Sequence, residues 1–142
     1  MITQDQIRKL VPHAGGMCLL ESVESYDEST ITCASNTHRA ADHPLRRDGK
    51  LSAIHLIEYG AQATAIHGGL LAKKNDGGGA RPGMLTSLRD CTLHVERVDD
   101  IDATLTIVAR RLIAQGGASM YQFEISAGKK KLAEGRVSVV TF

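Results

Sequence analysis

Two periods of hydrophobic alternation divide the chain. Thr86 to Arg97, Asp102 to Ile113, Met120 to Ala127 and Leu132 to Thr141 alternate apolar and polar residues, punctuated by Asp99-Asp100, Gln115-Gly116-Gly117 and Gly128-Lys129. That period of two is the mark of half-buried strands joined by tight turns. Met17 to Ser25 and Ser29 to Thr37 read as two further strands around the polar turn Tyr26-Asp27-Glu28. Between these groups lies LSAIHLIEYGAQATAIHGGLLA, which lacks Pro, starts at a Ser52 cap and ends before Lys73-Lys74 and the turn NDGGGARPG. Its apolar residues fall on nearly every face, so it predicts a helix enclosed by protein. Gly60, Ala61, Ala63 and Ala65 keep it thin enough for a sheet to pack close. Near the start, Thr3 with Gln6 fits a capping box for a short helix to Leu10, stopped by Pro12.

Two strands, an enclosed helix and an antiparallel meander of four strands make an α+β layout, a long helix wrapped by a curved sheet. No repeat or linker splits it, so residues 1–142 are expected to form one domain. Composition narrows the function. A net charge of +1 advertises neither nucleic acid nor an anionic membrane as partner, and two Phe, three Tyr and no Trp cannot build a stacking platform for single strands. Cys18, Cys33 and Cys91 lack metal-site spacing and read as reduced core thiols of a cytoplasmic protein. The polar N-terminus is no signal peptide, and Leu51–Ala72 carries His55, Glu58, Gln62 and His67, which bar it from a membrane span.

Glu58 is the residue most in need of an explanation. It is the sole carboxylate between Asp48 and Asp76, in the middle of an apolar helix. A charged group there is costly unless it is paired or used. Gln62 follows one turn later on the same face, and His55 precedes by three residues. His43, followed by Pro44, sits in the loop HRAADHPLRRDGK that feeds the helix and projects over its start. Of the other imidazoles, His13, His67 and His94 read as structural and His38 as solvated. HxxE at His55–Glu58 is half of a helical metal pattern without its second half, and Gly77-Gly78-Gly79 lacks the ending of a phosphate loop. Neither metal nor cofactor is implied.

These residues resemble a known family. VPHAGGMCLLESV is similar to the LPHxxPxLLxDxV opening of the bacterial 3-hydroxyacyl-[acyl carrier protein] dehydratases. ADHPLRRDGKLSAIHLIEYGAQA resembles their GHFPGxPxxPGxLxxEaxAQ signature, with His43, Glu58 and Gln62 at the matching places, and RPGMLTSLRDCTLHVERV and YQFEISAGKKKLAEGRVSVV resemble the sheet that follows. The wording HPLR…G.L….IEY.AQA…HG is closer to a divergent branch found with aryl-polyene and atypical fatty-acid pathways.

The resemblance implies a hotdog fold, a homodimer or higher homo-oligomer, and dehydration of 3-hydroxyacyl thioesters carried on the phosphopantetheine arm of acyl carrier protein. His43 would remove the α-proton, Glu58 of a partner subunit would protonate the departing hydroxyl, and Gln62 would orient Glu58. Burial would keep the Glu58 carboxyl protonated. Backbone N–H groups at Ala53 and Ile54 would polarise the thioester carbonyl. Two departures stand out: one extra residue between His and Glu, and Arg46-Arg47-Asp48 where the family has glycine turns. They leave room for His55 to share the work of His43. Arg39, Arg46, Arg47 and Lys50, with Lys73, Lys74 and Arg81, would steer an acidic carrier or simply solubilise the surface. A thioesterase, or a non-catalytic acyl-binding subunit, remains the alternative on the same fold.

Overall fold

A computed structural model describes residues 1–10, 17–76 and 83–141. His13, Pro12, Arg81 and the Gly77–Gly79 turn lie outside the described residues. Seven strands form one antiparallel sheet: β1 (Ile2–Thr3), β2 (Ser22–Tyr26), β3 (Thr30–Ser35), β4 (Gly83–Leu93), β5 (Leu105–Gln115), β6 (Ala118–Ala127) and β7 (Lys130–Thr141), in the order β1-β2-β3-β5-β6-β7-β4. Helix α1 spans Gln4–Leu10, and the long helix α2 spans Leu56–Asp76 behind a three-ten turn at Ala53–His55. A long helix across one curved sheet is the hotdog architecture.

Local chemistry explains the elements. The Thr3 amide donates to Gln6 Oε1 at 2.9 Å, one half of the predicted capping box. Asp27 Oδ1 accepts the amides of Ser29 and Thr30, which closes the β2–β3 turn. The alternation in β5 and β6 delivers Leu105, Ile107, Ala109, Tyr121, Phe123 and Ile125 to the buried face. Helix and sheet meet closely at Phe123. A Cβ on Gly60 would lie 2.5 Å from its ring, and one on Gly135 would lie 2.5 Å from Cys91 Sγ and 3.0 Å from the ring's tip, so neither position takes a side chain without a shift of its neighbours.

Five expectations are corrected. β4 pairs with β7 instead of β5, so the expected meander of four strands is one of three, β5-β6-β7. The strand expected from Met17 begins only at Ser22; Cys18, Leu19 and Leu20 are buried, but side chains rather than a neighbouring strand satisfy much of that backbone. The strand expected to run to Arg97 ends at Leu93, and residues 96–98 pair instead with Leu51–Ala53 ahead of α2. Cys91 is exposed in this protomer, unlike buried Cys18 and Cys33. Nor is α2 enclosed all round. Ala65 and Gly68 are exposed and Ala61 half-buried, a stripe of small residues left open along one flank of the helix.

Candidate active site

The head of α2 is built by a backbone ladder. The Ala53 amide donates to Glu96 O and the Val98 amide to Leu51 O, both at 2.9 Å, while Asp99 Oδ1 accepts the Leu51 amide at 2.8 Å. Asp99 also pairs with Arg97, and together these bonds hold its carboxyl well below the usual range. The loop before the helix folds on Asp48-Gly49, both at positive φ, with Arg47 and Lys50 exchanging two 2.9 Å backbone bonds. This is the two-residue hairpin that an Asp-Gly pair encodes.

His43 is 5% exposed. Its Nδ1 accepts the Leu45 amide at 3.0 Å, and its Nε2 lies 3.1 Å from Tyr59 Oη. Tyr59 is wholly buried and reaches Thr37 Oγ1 at 2.8 Å, and Thr37 donates to Leu19 O at 2.7 Å. Burial lowers the basicity of His43, reinforced by the neighbouring His55, Arg46 and His38. Burial likewise pushes the Tyr59 phenol up to about 12.

Gln62, 6% exposed, is fixed on both sides: Oε1 accepts the Leu19 amide at 2.8 Å, and Nε2 donates to Met17 O. The same Nε2 donates to Glu58 Oε1 at 3.1 Å. Glu58 is half-buried on the open flank of α2. Leu19 is therefore a junction, with its amide on the Glu58 arm and its carbonyl on the His43 arm.

Several placements differ from expectation. His38, expected in solvent, is fully buried: the three-ten turn at Thr37–Arg39 rotates it inward, where Nε2 donates to Ile101 O at 2.9 Å. The Ala53 amide is not an open donor, since Glu96 O occupies it; the Ile54 amide is held more loosely by Ser52 Oγ at 3.3 Å. Arg46 is a strap rather than a free charge, donating to Ala40 O and Gly49 O at 2.7 and 2.6 Å. Arg39 is paired with Asp102 at 2.6 Å, which leaves Arg47 and Lys50 as the loop's exposed cations without an ion pair among the described residues. Tyr59 and Thr37 were missed altogether. The signal for Tyr59 was a hydroxyl-bearing residue beside Glu58 in an otherwise apolar helix. Among the described residues no three His, Cys, Asp or Glu side chains converge as metal ligands would.

A family model described as ApeP-like, ApeP dehydratase, matches residues 5–142. The chain belongs to the ApeP-like dehydratase family. Among solved structures, the dehydratase heterocomplex ApeI:P from Xenorhabdus doucetiae is similar at 25% identity, with a TM-score of 0.85 over 96% of this chain and 90% of that one. AziG from S. sahachiroi matches at 15% identity and TM-score 0.66, covering 93% and 94%. A mutant thioesterase from Pseudomonas aeruginosa matches at 12% identity and TM-score 0.68, covering 98% and 94%. The last two share the fold alone with this family member. No curated protein matches by sequence. No described helix is long and apolar enough to cross a membrane.

Proposed function

We propose that this chain dehydrates 3-hydroxyacyl thioesters, delivered on acyl carrier protein, to trans-2-enoyl thioesters. The observation that carries the reading is the Glu58–Gln62 pair, a carboxyl group held at 3.1 Å on the flank of the long helix in a chain of a dehydratase family. One of the two imidazoles at the head of α2, His43 or His55, takes the α-proton. Glu58 of a partner subunit protonates the departing hydroxyl, and Gln62 keeps that carboxyl aimed. The whole chain acts as one domain, and no metal or cofactor enters the reaction.

The open stripe on α2 and the exposed edge of β4 support a second hotdog subunit as partner, in a homodimer or higher homo-oligomer. The similarity to the dehydratase heterocomplex ApeI:P supports a non-identical hotdog partner as the second possibility, and the native mass of the purified chain separates the two. Arg47 and Lys50 are the cations best placed to meet an acidic carrier in the cytoplasm.

Incubation with a 3-hydroxyacyl carrier thioester tests the reaction. Loss of water from the intact thioester is expected; release of free thiol would assign a thioesterase, and no change would favour a non-catalytic acyl binder. His43→Ala and Glu58→Ala are each expected to lower the rate by about a hundredfold or more.

A further inference from the structure

The direction of the hydrogen bonds around His43 is fixed by one backbone amide. Leu45 N–H points at Nδ1, so Nδ1 must offer its lone pair and cannot carry a proton. The neutral ring then carries its proton on Nε2, which faces Tyr59 Oη. Tyr59 accepts that proton's bond and must turn its own hydrogen to Thr37 Oγ1, whose hydrogen goes to Leu19 O. The chain runs one way, from His43 to Tyr59 to Thr37 to a carbonyl that only accepts. The opposite tautomer would set Nδ1–H against Leu45 N–H, and the imidazolium would meet the same clash.

A second observation bears on what a donor at this place is for. The amides that open the helix are all engaged: Ala53 with Glu96 O, Ile54 with Ser52 Oγ, and His55 with Ser52 O at 3.2 Å. A thioester oxygen arriving there finds no free amide. His55, by contrast, is half-buried beside His43, and its ring has no hydrogen-bond partner among the described residues.

Resting on the dehydratase reading above, we propose that His43 is a neutral hydrogen-bond donor to the thioester oxygen, that Tyr59 is the positioning residue that aims it, and that His55 is the general base. The Cα–H bond breaks with its proton passing to a free ring nitrogen of His55. The electron pair builds an enolate whose oxygen accepts the His43 Nε2–H bond. As the C2–C3 double bond forms, the C3–O bond breaks and the hydroxyl leaves as water with the proton of Glu58; solvent returns the proton from His55 to Glu58. In the resting protein Nε2–H is held by a neutral phenol. The enolate is a charged acceptor and forms the stronger bond, so the donor gains most in the transition state. Burial above all keeps the ring neutral, and the Arg46 guanidinium acts in the same sense against an opposing Asp42.

Two measurements test this. In the full-length protein with 15N-labelled histidine, the His43 signals, identified by their absence in His43→Gln, are expected to show a protonated Nε2 and a bare Nδ1 at neutral pH. A protonated Nδ1 overturns the proposal. In the dehydration assay, with folding of each variant checked by circular dichroism, His43→Ala is expected to lose about 10²–10³-fold in kcat. His43→Gln, which keeps an N–H donor and cannot act as a base, is expected to stay within about tenfold of wild type. Equal loss in the two variants overturns the donor role. His55→Gln is expected to lose about 10²–10⁴-fold, and full activity there overturns the base assignment. Tyr59→Phe is expected to lower kcat about two- to tenfold with KM unchanged; a change in KM alone overturns the positioning role. If wild type dehydrates no 3-hydroxyacyl thioester, the reaction itself fails, while the nitrogen signals still decide the tautomer.

Discussion

Helix α2 contributes one member to each of two buried histidine–tyrosine pairs, Tyr59 near its start and His67 past its middle, and the two are wired in opposite senses. Near its start, His43 stacks on Tyr59 with ring centroids 6.3 Å apart and donates to the phenol. Farther along, His67 meets Tyr121 edge-on at 5.5 Å. His67 Nε2 lies 2.8 Å from Asp27 O, which can only accept, so Nδ1 is left to receive the Tyr121 hydroxyl at 2.6 Å. The second pair is closed: each polar atom has a permanent partner, and it ties α2, the β2–β3 turn and β6 together. The first ends in a donor whose acceptor is another side chain that substrate can replace. The same two residue types thus serve as a clasp in one place and as a poised group in the other, according to where the histidine's proton is spent.

The sharpest way to break this comparison is to remove both histidines. His67→Ala is expected to destabilise the fold by about 3 kcal/mol, because it opens a cavity and leaves Asp27 O and the Tyr121 hydroxyl unpaired. The urea midpoint should fall while the activity of the folded fraction is kept. His43→Ala also unpairs buried groups, the Leu45 amide and the Tyr59 hydroxyl, so it too should lower the midpoint, but here the folded fraction should show a large loss of rate. A loss of rate in folded His67→Ala would mean that the second pair is more than a clasp.

Next in size is the close approach that holds the helix against the sheet between the pairs. Gly60→Ala places a methyl 2.5 Å from the Phe123 ring, a contact that only movement of α2 or the ring can relieve. Overpacking of this kind costs about 1–3 kcal/mol. Because Gly60 adjoins Tyr59, the displacement should also lower the dehydration rate. Unfolding midpoints and rates measured side by side decide it.

What could be read from the sequence follows from the reach of its regularities. Glu58 and Gln62 were legible because helical spacing puts residues four apart on one face, and their hydrogen bond is that spacing made visible. The four later strands were legible from their period of two, but their order was not, since β4 joins the far side of β7 instead of pairing with β5. Tyr59 and Thr37 were not, since they are 22 positions apart and periodicity assigns faces rather than contacts. His38 was misplaced for a related reason: its loop is polar on average, and only the three-ten turn decides that this one side chain points inward. The ladder between residues 51–53 and 96–98 is equally non-local, so the occupation of the Ala53 amide could not be foreseen.

Acid should weaken the fold through both pairs at once. His43, His67 and His38 are each held neutral in the folded chain, mainly by burial, so their folded pKa values lie below the ordinary value of 6.5. As pH falls through 6.5 the unfolded chain takes up protons that the folded chain refuses, and stability drops until the folded pKa values are passed. Above about pH 7.5 the three contribute no slope, because both states are neutral. Urea midpoints at neutral and mildly acidic pH should fall apart in wild type, and less so in His67→Gln.

The smallest effect discriminates most finely between the two wirings. Tyr121→Phe removes a hydroxyl that donates, leaving His67 Nδ1 as a buried acceptor without a partner, and should cost about 1 kcal/mol of stability. Tyr59→Phe removes a hydroxyl that both accepts and donates, so its stability cost should be similar and its mark should fall on kcat. The nitrogen signals provide the second reading. His67 should keep its proton on Nε2 in Tyr121→Phe, because Asp27 O still requires it there. His43 should also keep Nε2–H in Tyr59→Phe, because Leu45 N–H still forbids the other tautomer, but the ring should become freer to turn. Transfer of the proton to Nδ1 of His43 in that variant would show that the phenol, rather than the Leu45 amide, had been setting the tautomer.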